Sequence, residues 1–330
     1  MHSEPAQPLN GPPPTLLTPD GAPHFGAWAG CMAGVDWRPL RLPRRPGWLD
    51  LRLRHKRWQY VAFAHPDVFV GIAVVDLGWA AHGFAYAFLR GPRQLVSISR
   101  DGLPRASRVA HPLSDAAAHL PGLRIDMQSA GGKMQVAVRS RHLELDAELD
   151  LGAMPAPACV VAPANLLAHC THKTGAIQAS GRLRAAGTTL DLRACHASID
   201  HSDGLLAHDT RWNWASAHAD GCGFNLQAGY MADAENIVWL EGLPYKLGPV
   251  QFDYNAADPL TPWQIRSHCG NTQLRFAPEG LHRGNKNFGI VASRFVQAIG
   301  CFSGHIGVPG SARMEVNAVL GVTEDHASRW

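Results

Sequence analysis

Apolar and polar residues alternate along much of this chain. Leu143, Leu145, Ala147, Leu149 and Leu151 are interleaved with Glu144, Asp146, Glu148 and Asp150. Leu49, Leu51 and Leu53 alternate with Asp50, Arg52 and Arg54, and Leu190, Leu192 and Ala194 with Asp191, Arg193 and Cys195. Met314, Val316, Ala318 and Leu320 repeat the pattern near the end. Successive strand side chains face opposite sides, so this period of two predicts half-buried strands of antiparallel sheets. Turn signals at Asp101-Gly102, Gly131-Gly132, Gly187, Asp203-Gly204 and Asp220-Gly221 punctuate the strands. Helix is scarce: residues 114–120, with Ser114 as N-cap, and residues 287–298 are the two candidates.

A short internal repeat organises these strands. Arg57-Trp58-Gln59-Tyr60-Val61-Ala62 recurs as Arg211-Trp212-Asn213-Trp214-Ala215-Ser216, each copy followed by a turn containing Asp and a further β-rich run. Between the copies, residues 152–165 are rich in Pro and Ala and poor in charge, as a linker would be. The expected organisation is two related β-domains in tandem, 31–155 and 156–330. They are preceded by an arm, 1–30, whose prolines (Pro5, Pro8, Pro12, Pro13, Pro14, Pro19 and Pro23) forbid regular helix or central strand.

Composition narrows the partners. The chain has 330 residues, 46% hydrophobic and 17% charged, which suits folded domains with real cores. A formal charge of +3, with no Lys/Arg-dense helix, argues against nucleic acid. Seven widely spaced cysteines without a Cys-x-x-Cys pair fit reduced thiols, hence a cytoplasmic expectation. The longest apolar run, 68–81, is interrupted by Asp76 and too short for a membrane span, and residues 1–14 do not read as a secretory signal. No Gly-x-Gly-x-x-Gly, P-loop or Gly-x-Ser-x-Gly occurs, so no cofactor and no hydrolase-type serine is expected. Eighteen histidines include no His-Glu-x-x-His; His169 with His172 stands as a lone pair, and no metal is expected.

The densest candidate chemistry lies between Ile199 and Gly221, where Asp200-His201-Ser202 precedes the Trp212-x-Trp214 stripe. These residues also carry a resemblance. Trp212-Asn213-Trp214-Ala215, Glu235-Asn236 with Trp239, Phe252-Asp253-Tyr254, Pro262-Trp263 and Phe302-Ser303-Gly304 contribute to it. So do Glu324-Asp325-His326 and Arg329-Trp330. Together they resemble the domain-of-unknown-function 2804 family over nearly the whole chain. More loosely, the sequence resembles the superfamily of carotenoid 1,2-hydratases and related lipocalin-like proteins. That resemblance implies two tandem lipocalin-like antiparallel β-barrels, all-β with little helix. It also implies a carboxylic acid that protonates an isoprenoid double bond among aromatic residues, an analogy of fold rather than of site.

The functional expectation is a cofactor-independent enzyme that moves a proton on an apolar small molecule such as an isoprenoid or polyketide, by hydration, elimination or isomerisation. It would therefore be a hydro-lyase or isomerase. Asp200 is the candidate acid, its pKa raised in an apolar cavity, with His201 as partner. Glu235 and Asp253 are further candidate acids or bases. Trp212 and Trp214, with Asn236 and Tyr254, are candidate substrate contacts whose π-faces would stabilise a carbocation. Each residue has a plainer reading beside this one: Asp200 as a turn residue, the tryptophans as core, the polar pairs as loop caps. Adjacent strand residues face opposite ways, so only one of Asp200 and His201 can enter a cavity. Two other functions stay open: a non-catalytic lipocalin-like binder of a hydrophobic ligand, and a structural protein with filled barrels. The sequence leaves the oligomeric state open.

Overall fold

The structure, a computed structural model, describes residues 6–165, 167–287 and 292–329. It is nearly all β, 62% strand and 2% helix, built as two curled antiparallel sheets in tandem, one a nearly closed barrel and the other a half-barrel. Trp330, the start of the arm (residues 1–5) and part of the 287–298 segment lie outside the described residues.

After a short strand, Gly26–Ala29, which pairs with Ala158–Ala164, the first sheet runs from strand His55–His65 to strand Cys195–Leu205, and these two pair with each other. The second begins at Asp209–Ala219 and ends at Met314–Arg329, which pair likewise. In each sheet this pairing lies in the middle of the strand order, whose edges are Gln94–Gly102 and Ser107–Val109 in the first sheet and Leu243–Lys246 and Val250–Asp253 in the second. The Arg-Trp repeat occupies equivalent places, the first long strand of each sheet, 11 residues long in both. The strands on either side of residue 155 belong to the same sheet, and the chain passes to the second sheet between Leu205 and Asp209.

Alternation decides which face each side chain takes. Val61, Phe63, Ile72, Val74, Leu145, Leu149 and Ile199 point into the first barrel and fill it. Ala215, Phe224, Leu226, Trp263, Phe276 and Phe302 fill the inside of the second sheet. The opposite faces meet between the sheets, where Tyr60, Phe69, Tyr86 and Phe88 pack with Trp214, Ile299 and Val322. Burying several such side chains at about 1.5–3 kcal/mol each supplies ample cohesion for this joint.

The arm is docked. Leu9 N–H donates to Pro244 O, Ala29 N–H to Asn10 O, and the Trp37 indole to Asp203 Oδ1 at 2.9 Å. Leu16, Met32, Trp37 and Leu40 pack on Cys159, Val161 and Leu205, capping one end of the first barrel.

Several sequence expectations are corrected. The 114–120 segment is a strand from Ala116, because Ala116, Ala118 and Leu120 alternate inward in a hairpin with Leu123–Ala130. The described part of 287–298 belongs to the strands Gln273–Asn287 and Ala292–Ile306. Conversely, Leu49, Leu51 and Leu53 lie in a helix, Trp48–Leu53, whose start is fixed by Asp50 accepting Gly47 N–H at 2.8 Å. Gly131-Gly132 makes its expected turn, with φ of 57° and 78°. Asp203-Gly204 does not turn: both lie inside a strand, and a Cβ on Gly204 would sit 2.5 Å from the His169 ring. Among the described residues no helix is long and apolar enough to cross a membrane.

Candidate active site

Neither barrel interior holds the principal cavity. It lies between the two sheets, about 650 Å³, with a wall from each. Antiparallel register explains the wall, because residues directly opposite one another share a face. In the first sheet one row runs Lys173, Asp200, Tyr60, Ala73, Phe84. A second sheet row runs Gln227, Trp214, Glu324, Gln297, His282, and the next pairs Trp212, His326 and Phe295. All of these residues line the cavity. The two Arg-Trp copies thus place Trp58 and Tyr60 on one wall and Trp212 and Trp214 on the other.

The polar group that stands out is a cation flanked by two carboxylates. Lys173 Nζ lies 2.5 Å from Asp200 Oδ2 and 3.6 Å from Glu235 Oε2. All three side chains are at least 85% buried. Burial opposes charge on Lys173, but Asp200 and Glu235 outweigh it and hold the amine above its usual range. Burial has the opposite consequence for Asp200: loss of water raises its pKa, Lys173 pulls it back, and nearby Glu235 and Glu324 push it up again. The net direction is up. One cation cannot neutralise two buried carboxylates, so a proton on one of them is favoured. Asp200 Oδ1 is buried without a hydrogen-bond partner among the described residues.

Across the cavity Glu324 is the centre of a second network. Its Oε1 accepts from the Trp212 indole at 3.1 Å and contacts His326 Nδ1 at 3.0 Å, and its Oε2 accepts from Gln297 at 2.9 Å. Gln297 Oε1 in turn accepts the Tyr86 hydroxyl at 2.5 Å. His326 is stacked on Trp212 at 4.1 Å, and His282 packs on Tyr86 at 4.4 Å. Burial lowers His282 to about 4 and His169 to about 4, so both rings are neutral near pH 7.

The expected site residues separate cleanly. Asp200, Glu235, Trp212 and Trp214 all line the cavity. His201 does not: it follows Asp200 in a strand, so it points into the first barrel, fully buried, its pKa lowered to about 3 by burial. It therefore cannot return a proton to Asp200. Asp253 is exposed on the edge strand Val250–Asp253. Tyr254 is stacked on Trp263 at 3.7 Å and its hydroxyl accepts from Asn213. Asn236 is fully buried and tied to Gln227 N–H and Gly248 O, a structural role. Lys173, Gln297 and His282 were not anticipated.

Comparison with known proteins now bears on this geometry. The model of one family, described as a domain of unknown function (DUF2804), matches residues 8–330. The chain belongs to the DUF2804 family. No curated protein matches it. Among solved structures, this DUF2804 protein is similar to kievitone hydratase from Nectria haematococca, with a TM-score of 0.53 and 10% identity, covering 93% of this chain and 98% of that one. It is also similar to CghA, solved with Sch210972, with a TM-score of 0.56 and 10% identity, covering 97% of each chain. An AttH-like protein from Nitrosomonas europaea aligns at 0.52 and 12% identity, covering 90% of this chain and 98% of that one. At such identities the likeness establishes a shared fold.

Proposed function

We propose that this DUF2804 protein is a cofactor-independent enzyme whose inter-sheet cavity takes an apolar small molecule, of isoprenoid or polyketide type, and protonates it from Asp200. The observation that carries the reading is Asp200 itself: a desolvated carboxyl on an apolar wall, one oxygen on Lys173 and the other unpartnered. The proton on Oδ1 passes to an alkene carbon, the π-electrons forming the new C–H bond. The carboxylate left behind is stabilised by the Lys173 ammonium at 2.5 Å. The cation faces the rings of Trp212, Trp214 and Tyr60, each worth roughly 1–2 kcal/mol when desolvated. It then takes water, whose extra proton returns to the Asp200 carboxylate (hydration), or gives a neighbouring C–H proton to that carboxylate (isomerisation); run backwards, the first route is elimination. Glu235, 3.6 Å from Lys173, takes the place expected of His201 as the second proton-handling group.

Kievitone hydratase, one of the fold relatives, is by name a water-adding enzyme, which supports this class of reaction. A binder needs only an apolar cavity with few titratable groups, whereas this one holds a buried charged trio. The test is incubation of the protein with a panel of unsaturated isoprenoids and polyketides in D2O, read by mass spectrometry. Deuterium at a former alkene carbon is expected, reduced at least 100-fold by Asp200→Asn. Ligands that bind unchanged across the panel would make the protein a carrier.

A further inference from the structure

His201, excluded from the cavity, belongs to a different cluster. Cys159, His172 and His201 sit directly opposite one another on three neighbouring strands, and Cys170 lies two residues from His172 on the same face. Strands run about 4.8 Å apart, so Cys159 and His201 flank His172 on the same inward face of the first sheet. Ligand atoms of Cys159, Cys170 and His172 lie within 4.8 Å of one another. Cys170 Sγ is 4.0 Å from His172 Nδ1, and the His172 and His201 ring centres are 5.6 Å apart. All four residues are at most 0% exposed. Among the described residues neither nitrogen of His201 makes a well-formed hydrogen bond, the Ala110 backbone being the polar group beside it. A fully buried imidazole without partners is costly unless something satisfies it.

We propose that Cys159, Cys170, His172 and His201 form a structural site for a tetrahedral divalent metal, Zn²⁺. Two thiolates and two neutral imidazoles match its preference for sulfur and nitrogen and balance its charge. Metal–sulfur bonds of about 2.3 Å and metal–nitrogen bonds of about 2.0 Å give tetrahedron edges of roughly 3.3–3.8 Å. The ligand atoms of Cys159, Cys170 and His172, within 4.8 Å of one another, need close by about an ångström, and His201 completes the set by turning toward them from the neighbouring strand. Binding releases the two thiol protons to solvent. It also exchanges one existing contact, since His172 Nε2 accepts the Met32 backbone N–H at 3.1 Å. That contact belongs to the segment just after the arm, which covers the site with Met32, Trp37 and Leu40. The metal would thus join three strands beneath Met32, Trp37 and Leu40, remote in chemistry from the Asp200 cavity, which opens on the opposite sheet face.

The test uses the full chain, reduced and stripped of metal with a chelator, titrated with Co²⁺ as a visible probe. One Co²⁺ per chain, with sulfur-to-cobalt charge-transfer absorption displaced by Zn²⁺, is expected. Cys159→Ser, Cys170→Ser and His201→Asn should each weaken binding at least 100-fold, while Cys195→Ser, a buried thiol elsewhere in that barrel, leaves it unchanged. His201→Asn removes no sulfur and serves if the cysteine variants do not fold. Absence of the charge-transfer band in the wild-type protein, or variants that bind as it does, would overturn the site.

Discussion

Replacing Lys173 by Met removes the cation from between two buried carboxylates and keeps the volume of the side chain. At 2.5 and 3.6 Å, and an effective dielectric near 20, Coulomb's law gives about 7 kcal/mol with an ionised Asp200 and about 5 with an ionised Glu235, and with one carboxyl protonated only one of these attractions is present. Desolvation of three groups consumes most of this, and removing one partner of a buried pair costs about 3–5 kcal/mol in practice. The loss must depend on pH. Without Lys173 the folded-state pKa of Asp200 rises further above its unfolded value, so the fold is favoured at low pH and loses stability as pH rises through the folded value. Holding a carboxyl of ordinary pKa 3.8 protonated costs about 6 kcal/mol at pH 8 but about 2 at pH 5. Urea unfolding followed by tryptophan fluorescence should therefore show Lys173→Met destabilised by about 3–5 kcal/mol at pH 8 and by about 2 or less at pH 5. Adding Asp200→Asn should recover part of the loss at pH 8. A pH-independent loss, or one below 1 kcal/mol, would refute the reasoning.

Other consequences follow from the same structure. His218 and His282 are held neutral by burial, with pKa values lowered to about 3 and about 4. Their stabilisation is complete above the unfolded value of 6.5 and is lost as pH falls toward those values, by about 3 kcal/mol or more per ring. His282→Gln should flatten the acid limb of the stability profile, and an unchanged limb would count against this. Leu145→Ala, in the filled first barrel, should cost about 2–5 kcal/mol in urea unfolding, whereas Leu103→Ala at an 80% exposed position should cost under about 0.5. Gly204→Ala drives a Cβ against the His169 ring, itself held by Met231, and should cost about 1–3 kcal/mol; a neutral substitution would show that the ring can move.

What the sequence discloses depends on whether a strand has one wet face. Leu143–Asp150 does, so its alternation is plain and its inward leucines are read correctly. The strand Leu167–Ala185 is packed on both faces over its first half, between the barrel interior and the second sheet. There the period of two vanishes, and Lys173 passes unnoticed in a run of buried residues. The lone pair His169 and His172 misleads for a related reason: an odd spacing sends them to opposite faces, His169 to the cavity and His172 to the thiols. Asp200, Glu235, Trp212 and Trp214 were legible as residue types. Their meeting place was not, because it is created by packing one sheet against another. Asp253 and Tyr254 look alike in sequence, yet the edge of the second sheet carries them away from the cavity.

The central claim is that burial tunes Asp200 into a proton donor facing the cavity. Titration of carboxyl-labelled aspartate by NMR, with Asp200 assigned by its loss in Asp200→Asn, measures this directly. The predicted midpoint lies above the ordinary 3.8. A midpoint at or below that value would mean that Lys173 simply holds Asp200 ionised, and the carboxyl would have no proton to give.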